Sequence, residues 1–156
     1  MMKVIRTNSE HLDFRALVGE LNDYLSDIDG DEHAFYDQFN NIDVLHHVVV
    51  GYLNDDPVGC GAMKRFDSDS MEVKRMYTKP GFRTLGVATE ILIALENWAM
   101  ELGFKSCILE TGKRQVEAVD FYKKKNYRII TNYDPYLGID NSICFKKELR
   151  GYEKRQ

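Results

Sequence analysis

The stretch that most constrains this chain is Arg83-Thr84-Leu85-Gly86-Val87-Ala88, taken with what flanks it. Met71–Thr78 before it reads as a strand. Thr89 to Leu102 after it reads as a long amphipathic helix, with Ile91, Leu92, Leu95, Trp98, Ala99 and Leu102 on one stripe. A strand, a short basic loop with glycine and a helix start make a cradle for an anion. The free N–H groups of the first helical turn and the positive end of the helix dipole converge there. Gly86 and Ala88 are small enough to let a ligand approach the backbone closely. Six residues with two small ones also fit an ordinary turn, so the surroundings decide. Ser106–Thr111 reads as the next strand, which makes the unit a strand–helix–strand crossover with two parallel, neighbouring strands.

Lys3–Thr7 reads as a first strand, and His11 to about Ile28 as a helix with Leu17, Leu21, Tyr24, Leu25 and Ile28 on one face. The acidic run Asp27-Ile28-Asp29-Gly30-Asp31-Glu32 breaks it, and His33–Phe39 resumes as a shorter helix. His46–Leu53 and Val58–Arg65 are strands joined by a turn at Asn54-Asp55-Asp56-Pro57, and Ser68-Asp69-Ser70 turns into Met71–Thr78. Gly103 is placed to end the long helix in a left-handed conformation. Glu117–Lys125 is a helix carrying Ala118, Phe121 and Tyr122, and Tyr127–Ile130 and Ser142–Leu149 are the last strands. The hairpin strands are antiparallel, so the sheet is mixed. With 156 residues and no linker composition, one domain is expected over 1–150, followed by a polar tail at 151–156.

A net charge of −4 offers no basic excess for nucleic acid, and no segment approaches the ~20 apolar residues of a membrane span. Met1–Arg6 alternates like a strand and lacks the apolar run of a signal peptide. Cys60, Cys107 and Cys144 are odd in number and far apart in apolar runs, the pattern of buried thiols in a reducing compartment. A cytoplasmic location follows. No metal is expected: His46 and His47 are adjacent in a strand and face opposite ways. The acidic run also lacks the sixth-position glycine and the terminal glutamate of a calcium loop.

The spacing Arg-x-x-Gly-x-Ala at 83–88 resembles the Gln/Arg-x-x-Gly-x-Gly/Ala pyrophosphate loop of the GNAT family of acyl-CoA-dependent N-acetyltransferases. Ile108-Leu109-Glu110-Thr111 resembles the strand opposite that family's acetyl-CoA strand. Gln115-x-x-Ala118-x-x-x-Tyr122 is similar to its Asn-x-x-Ala-x-x-x-Tyr, with Gln for Asn. Tyr122-Lys123-Lys124-Lys125-Asn126-Tyr127 is similar to its Tyr-Glu-Lys-Leu-Gly-Tyr/Phe, with Asn for Gly. The order of elements also matches, over nearly the whole chain.

The resemblance implies an α/β (α+β) GNAT fold, with a mixed, mostly antiparallel central sheet, a splayed parallel strand pair and flanking helices. It implies transfer of acetyl from acetyl-CoA, as co-substrate, to a primary amine of a small molecule or protein. The main chain of Met76, Tyr77 and Thr78 would hold the pantetheine arm by pairing with it like an added strand. The backbone of Thr84, Leu85, Gly86, Val87, Ala88 and Thr89 would hold the pyrophosphate, helped by Arg83 and the Thr89 hydroxyl. Gln115 would contribute its amide, and Lys124 would meet the 3′-phosphate or simply be part of a solvated helix end.

Tyr122 is expected as the general acid for the departing thiolate, its bland alternative being a core aromatic. Glu72, at the start of the acetyl-CoA strand, is expected as the catalytic carboxylate or else as an exposed strand residue. Glu110, taken to lie opposite it, competes for the same role. Asp27, Asp29, Asp31 and Glu32 either steer a cationic amine or form a solvated loop, and Tyr133-Asp134-Pro135-Tyr136 either lines the acceptor pocket or closes the sheet. The partners implied are acetyl-CoA and an amine acceptor, with a homodimer left open. Two other readings remain: a noncatalytic acyl-CoA-binding or sensor domain on the same fold, and a nucleotide-binding module. The missing Gly-Lys-Ser/Thr ending disfavours the latter.

Overall fold

The computed structural model describes residues 2–30 and 44–150. The helix expected at His33–Phe39, the acidic residues Asp31 and Glu32, and the tail 151–156 lie outside them. β1 (Met2–Thr7) leads to α1 (Leu12–Asp29), which buries Phe14, Leu17 and Leu21 and ends at Gly30, φ 54°. β2 (His47–Leu53) and β3 (Asp56–Arg65) form a hairpin. Its turn is only Asn54 and Asp55, with φ of 51° and 69°. Two consecutive positive φ values match the right-handed twist of the strands, so Asp56 and Pro57 belong to β3 rather than to the turn expected of them. β4 (Ser70–Thr78), α2 (Val87–Glu101), β5 (Ser106–Gly112), α3 (Val116–Lys124), β6 (Arg128–Ile130) and β7 (Ser142–Glu148) complete the order.

The sheet runs β1-β2-β3-β4-β5-β7-β6, antiparallel throughout except at β4–β5. Val48, Val49 and Val50 are all fully buried, because helices cover both faces. Alternation sends Val48 and Val50 to a core under α1 with Cys60 and Ala62, and Val49 to a larger core under α2 with Met63, Val73, Leu109 and Phe145. Two glycines of β3 let α2 come close. A Cβ on Gly59 would stand 2.7 Å from Val87 Cγ1, and one on Gly61 would stand 2.6 Å from Met76 Sδ and 2.9 Å from Ile91 and Leu95.

The α2 stripe differs from its expected form at two positions. Leu102 is half exposed at the helix end, and Glu96 is buried. The Glu96 carboxylate accepts from the Tyr127 hydroxyl at 2.8 Å and from Lys147 Nζ at 3.0 Å, so the buried charge is paired and hydrogen-bonded. Gly103 (φ 92°) and Asn126 (φ 74°) both adopt the left-handed form that closes the preceding helix. All three cysteines are free and buried, and burial pushes the Cys60 and Cys107 thiols up to about 12 and Cys144 to about 11.

β4 and β5 pair only through Ser70↔Ser106, Met71↔Cys107 and Glu72↔Ile108, although both strands run on to Thr78 and Gly112. The parallel pair therefore splays. At its closed end the buried Ser70 and Ser106 hydroxyls bond to each other at 2.7 Å. Opposite β3 the pairing jumps from Ala62↔Lys74 to Cys60↔Tyr77, so Gly61 faces both Arg75 and Met76. Arg75, at φ 61°, sits in that bulge. No helix among the described residues is long and apolar enough to cross a membrane.

Candidate active site

Two cavities open where β4 and β5 part. The outer one, about 300 Å³, is lined by Tyr24 of α1, by Met76, Tyr77 and Thr78 of β4, by Arg83 and Ala88, and by Gln115, Phe121 and Tyr122 at α3. The inner one, about 120 Å³, is lined by Glu72, Lys74 and Arg75 of β4, Glu110 and Thr111 of β5, and Tyr136. Leu21, Met76, Gln115, Ala118 and Tyr122 belong to both. The cavities therefore meet at Tyr122.

The loop expected to cradle an anion is exposed, and Gly86 at its end adopts φ 80°, ψ 11°, a left-handed conformation that favours glycine. The first intrahelical bond of α2 runs from the Glu90 N–H to the Gly86 carbonyl at 3.1 Å, and no side chain among the described residues caps the helix. The N–H groups of Val87, Ala88 and Thr89 thus lie at the unsatisfied end of the helix, beside the outer cavity. A Cβ at Gly86 would meet nothing within 4 Å among the described residues.

Arg83 is engaged differently from its expected role. Its Nε donates to the Thr78 carbonyl at 3.0 Å, and its guanidinium carbon lies 5.2 Å and 5.9 Å from the ring centres of Tyr24 and Tyr77. The Thr78 carbonyl, expected to meet a pantetheine arm, thus accepts one hydrogen bond from Arg83. Thr84 and Leu85 are exposed in the loop. Lys124 is exposed in the last turn of α3 and lines neither cavity.

Tyr122 is buried, its ring packed against Phe121, Tyr127 and Phe145 at centroid distances of 5.1, 5.7 and 6.0 Å. Burial alone raises its hydroxyl above the ordinary tyrosine value, so it is held neutral. Gln115 occupies the N-cap position of α3, where its side chain makes no capping bond and faces both cavities.

Glu72 lies in the inner cavity, not on an exposed strand face. Its Oε2 accepts from the Tyr133 hydroxyl at 3.0 Å, and Oε1 lies 3.9 Å from Lys74 Nζ. Burial first, and then the Glu72 carboxylate, raises the Tyr133 hydroxyl far above its ordinary value. The register corrects one expectation. Ile108, not Glu110, stands opposite Glu72, and Glu110 pairs with Cys144 beyond the point where the strands part. Glu110 nonetheless lines the same cavity, and its Oε2 accepts from Ser142 Oγ at 2.7 Å.

The aromatic turn packs against the inner cavity. Tyr136 lines the inner cavity while Tyr133 holds Glu72, and Asn132 Nδ2 ties the loop by donating to the carbonyls of Tyr136, Ile139 and Ser142. Sequence reasoning missed Lys74 and Arg75, which line the inner cavity, and Ser142, whose partner depends on the β5–β7 register.

The model of the acetyltransferase (GNAT) family matches residues 14–127. An Azospirillum brasilense protein named IAA acetyltransferase is 28% identical over 136 residues, 85% of this chain and 88% of that one. A Xenopus tropicalis protein named "Probable N-acetyltransferase 14" is 29% identical over 65% of this chain. There the match spans only 49% of the relative's length. Among solved structures, a GNAT family acetyltransferase from Elizabethkingia anophelis with acetyl-CoA bound superimposes with a TM-score of 0.68. It is 17% identical, over 95% of this chain and 98% of its own. A GNAT family acetyltransferase from Staphylococcus aureus Mu50 gives 0.69 at 16% identity, covering 96% and 100%.

Proposed function

Because the chain belongs to the GNAT acetyltransferase family, we propose that it is an N-acetyltransferase carrying acetyl from acetyl-CoA to a primary amine by direct attack. The observation that carries this reading is the meeting of the two cavities at Tyr122. One leads to the uncapped start of α2, the other to Glu72 and Glu110. Acetyl-CoA enters the outer cavity, and the acceptor amine waits in the inner one. Acetyl-CoA bound to a neighbour of the same fold supports this choice of donor.

The pantetheine arm lies along the unpaired edge of β4 at Met76, Tyr77 and Thr78. The pyrophosphate rests over Thr84–Thr89, and the Gln115 amide faces the acyl group at the junction. Arg83 leaves the Thr78 carbonyl to meet phosphate as that carbonyl takes up the arm. Lys124, at the far end of α3, meets the 3′-phosphate.

The amine must be neutral to attack, although a free one has a pKa near ~10.4. Its nitrogen bonds to the thioester carbon, the C–S bond breaks, and the ammonium proton leaves. The thiolate, whose acid has a pKa of roughly 8.5, is met by the Tyr122 hydroxyl. Because burial holds that hydroxyl above its ordinary value, its contribution is a hydrogen bond that strengthens as charge grows on sulfur, with the proton moving as the C–S bond breaks. Glu72 is already held by Tyr133 and faces Lys74, so it binds the incoming ammonium and passes its proton through water.

Gly86→Asp tests the cradle. It adds bulk and negative charge where the phosphates rest, at a position where a Cβ meets nothing within 4 Å among the described residues. Calorimetry is expected to show acetyl-CoA binding lost with the melting temperature nearly unchanged. Wild-type affinity in this variant would refute the cradle.

A further inference from the structure

The inner cavity is built for more than a cation. Its wall carries two carboxylates, Glu72 and Glu110, and two cations, Lys74 and Arg75. The Glu72 and Lys74 side chains are 13% and 10% exposed, so these charges act on an occupant with little screening by water. A pocket for a polycationic acceptor needs a surplus of negative charge, and the described residues that line this one supply none. An occupant carrying one charge of each sign matches it, and one carrying two positive charges sets its second against a resident cation.

The backbone supports the same conclusion. In a regular strand alternate residues face opposite sides. The bulge at Arg75, φ 61°, interrupts that alternation, on a strand whose residues Glu72, Val73, Lys74, Arg75 and Met76 all line the inner cavity. Bulges are common beside active sites, and the residue at this one, Arg75, lines the same cavity as Glu110. A guanidinium fork matches a carboxylate with two parallel hydrogen bonds. A volume of about 120 Å³ suits a free small molecule better than a folded protein segment.

We propose that the acceptor is a free amino acid, held by Arg75 and Lys74 through its carboxylate and by Glu110 and Glu72 through its ammonium. This rests on the acetyl-transfer reading above. In the reaction the amine nitrogen gains the acetyl carbon and loses a proton, the thioester C–S bond breaks, and the sulfur leaves as the CoA thiol. Acetylation removes the positive charge and leaves an anionic product facing two glutamates, which favours its release.

The test supplies the full chain and acetyl-CoA with the common amino acids, their carboxamides, monoamines lacking the carboxylate and a linear diamine. Free CoA thiol is the readout. At least one amino acid is expected to react with a kcat/KM roughly tenfold or more above that of its carboxamide, the scale of one lost charge-assisted contact. Arg75→Gln is expected to raise KM for the amino acid, leave kcat close to wild type and narrow the gap to the carboxamide. Lys74→Gln repeats the test should Arg75→Gln fail to fold, and unchanged acetyl-CoA affinity certifies either variant. A diamine, monoamine or carboxamide used as well as every amino acid would overturn the inference and leave acetyl transfer standing. Failure of every class of amine to release thiol, while acetyl-CoA still binds, would overturn both.

Discussion

Replacing Tyr122 by phenylalanine removes one oxygen at the point where the two cavities meet. The packing of the ring against Phe121, Tyr127 and Phe145, at 5.1 to 6.0 Å, does not depend on that oxygen. Burial raises the hydroxyl's pKa, and no charged partner among the described residues is orphaned by its loss. Stability is therefore expected to change by less than about 0.5 kcal/mol, the scale of a substitution that breaks nothing. The rate is another matter. A hydrogen bond to a charged group is worth about 1.5–3 kcal/mol, or roughly 10- to 150-fold, which sets the smallest loss in turnover. If the proton moves in the transition state, the loss reaches ~10²–10⁴-fold. Thiol release at saturating acetyl-CoA measures the loss, and calorimetry checks that donor affinity is kept. In the wild type, a hydroxyl held above its ordinary value stays protonated, so Tyr122 is not expected to depress kcat up to about pH 10. A variant turning over at the wild-type rate would make Tyr122 packing only. One that loses acetyl-CoA binding instead would make its hydroxyl a donor-positioning group.

Gly61→Val is expected to destabilise the fold by about 1–3 kcal/mol in chemical denaturation, because even a Cβ there stands 2.6 Å from Met76 Sδ. Lys147→Met leaves the buried Glu96 carboxylate without its cation and is expected to cost about 3 kcal/mol, while Glu96→Gln, which keeps an acceptor for Tyr127, costs less. The buried thiols make the protein alkali-sensitive. Unfolded cysteines ionise near ~8.5 whereas Cys60 and Cys107 are held up to about 12 and Cys144 to about 11. The unfolded chain thus loses protons that the folded chain keeps. Stability is full below about pH 8.5 and falls as pH rises, by about 1.4 kcal/mol per unit for each thiol, toward 11 for Cys144 and toward 12 for Cys60 and Cys107. Denaturant titrations at pH 8 and 10 check this, and a Cys60→Ala variant is expected to show a shallower fall.

Local patterns made the elements legible. Leu17 and Leu21 on α1, and Ile91, Leu92, Leu95 and Ala99 on α2, recur at helical spacing and are buried as that spacing requires. The β4–α2–β5 crossover was readable because a parallel pair needs a covering helix, and Gly103 takes the left-handed conformation that its place at a helix end suggested. What could not be read was register. Whether Ile108 or Glu110 stands opposite Glu72 is a matter of two residues that no local preference encodes. The bulge at Arg75 has no glycine to announce it. Glu96 broke the apolar stripe of α2 because its partners, Tyr127 and Lys147, lie 31 and 51 residues away. The bond from Arg83 to the Thr78 carbonyl was equally invisible, since it depends on where a long side chain rests.

The most direct test of the central claim is to incubate the purified chain with acetyl-CoA and the acceptor panel, measuring free thiol and acetylated amine together, the latter by mass. The account predicts equal amounts of CoA thiol and N-acetylated product, both abolished by Gly86→Asp and both sharply reduced by Tyr122→Phe. Tight acetyl-CoA binding with no acetylated amine from any acceptor would contradict it, and would make the chain a binder of acyl-CoA rather than an enzyme that uses it.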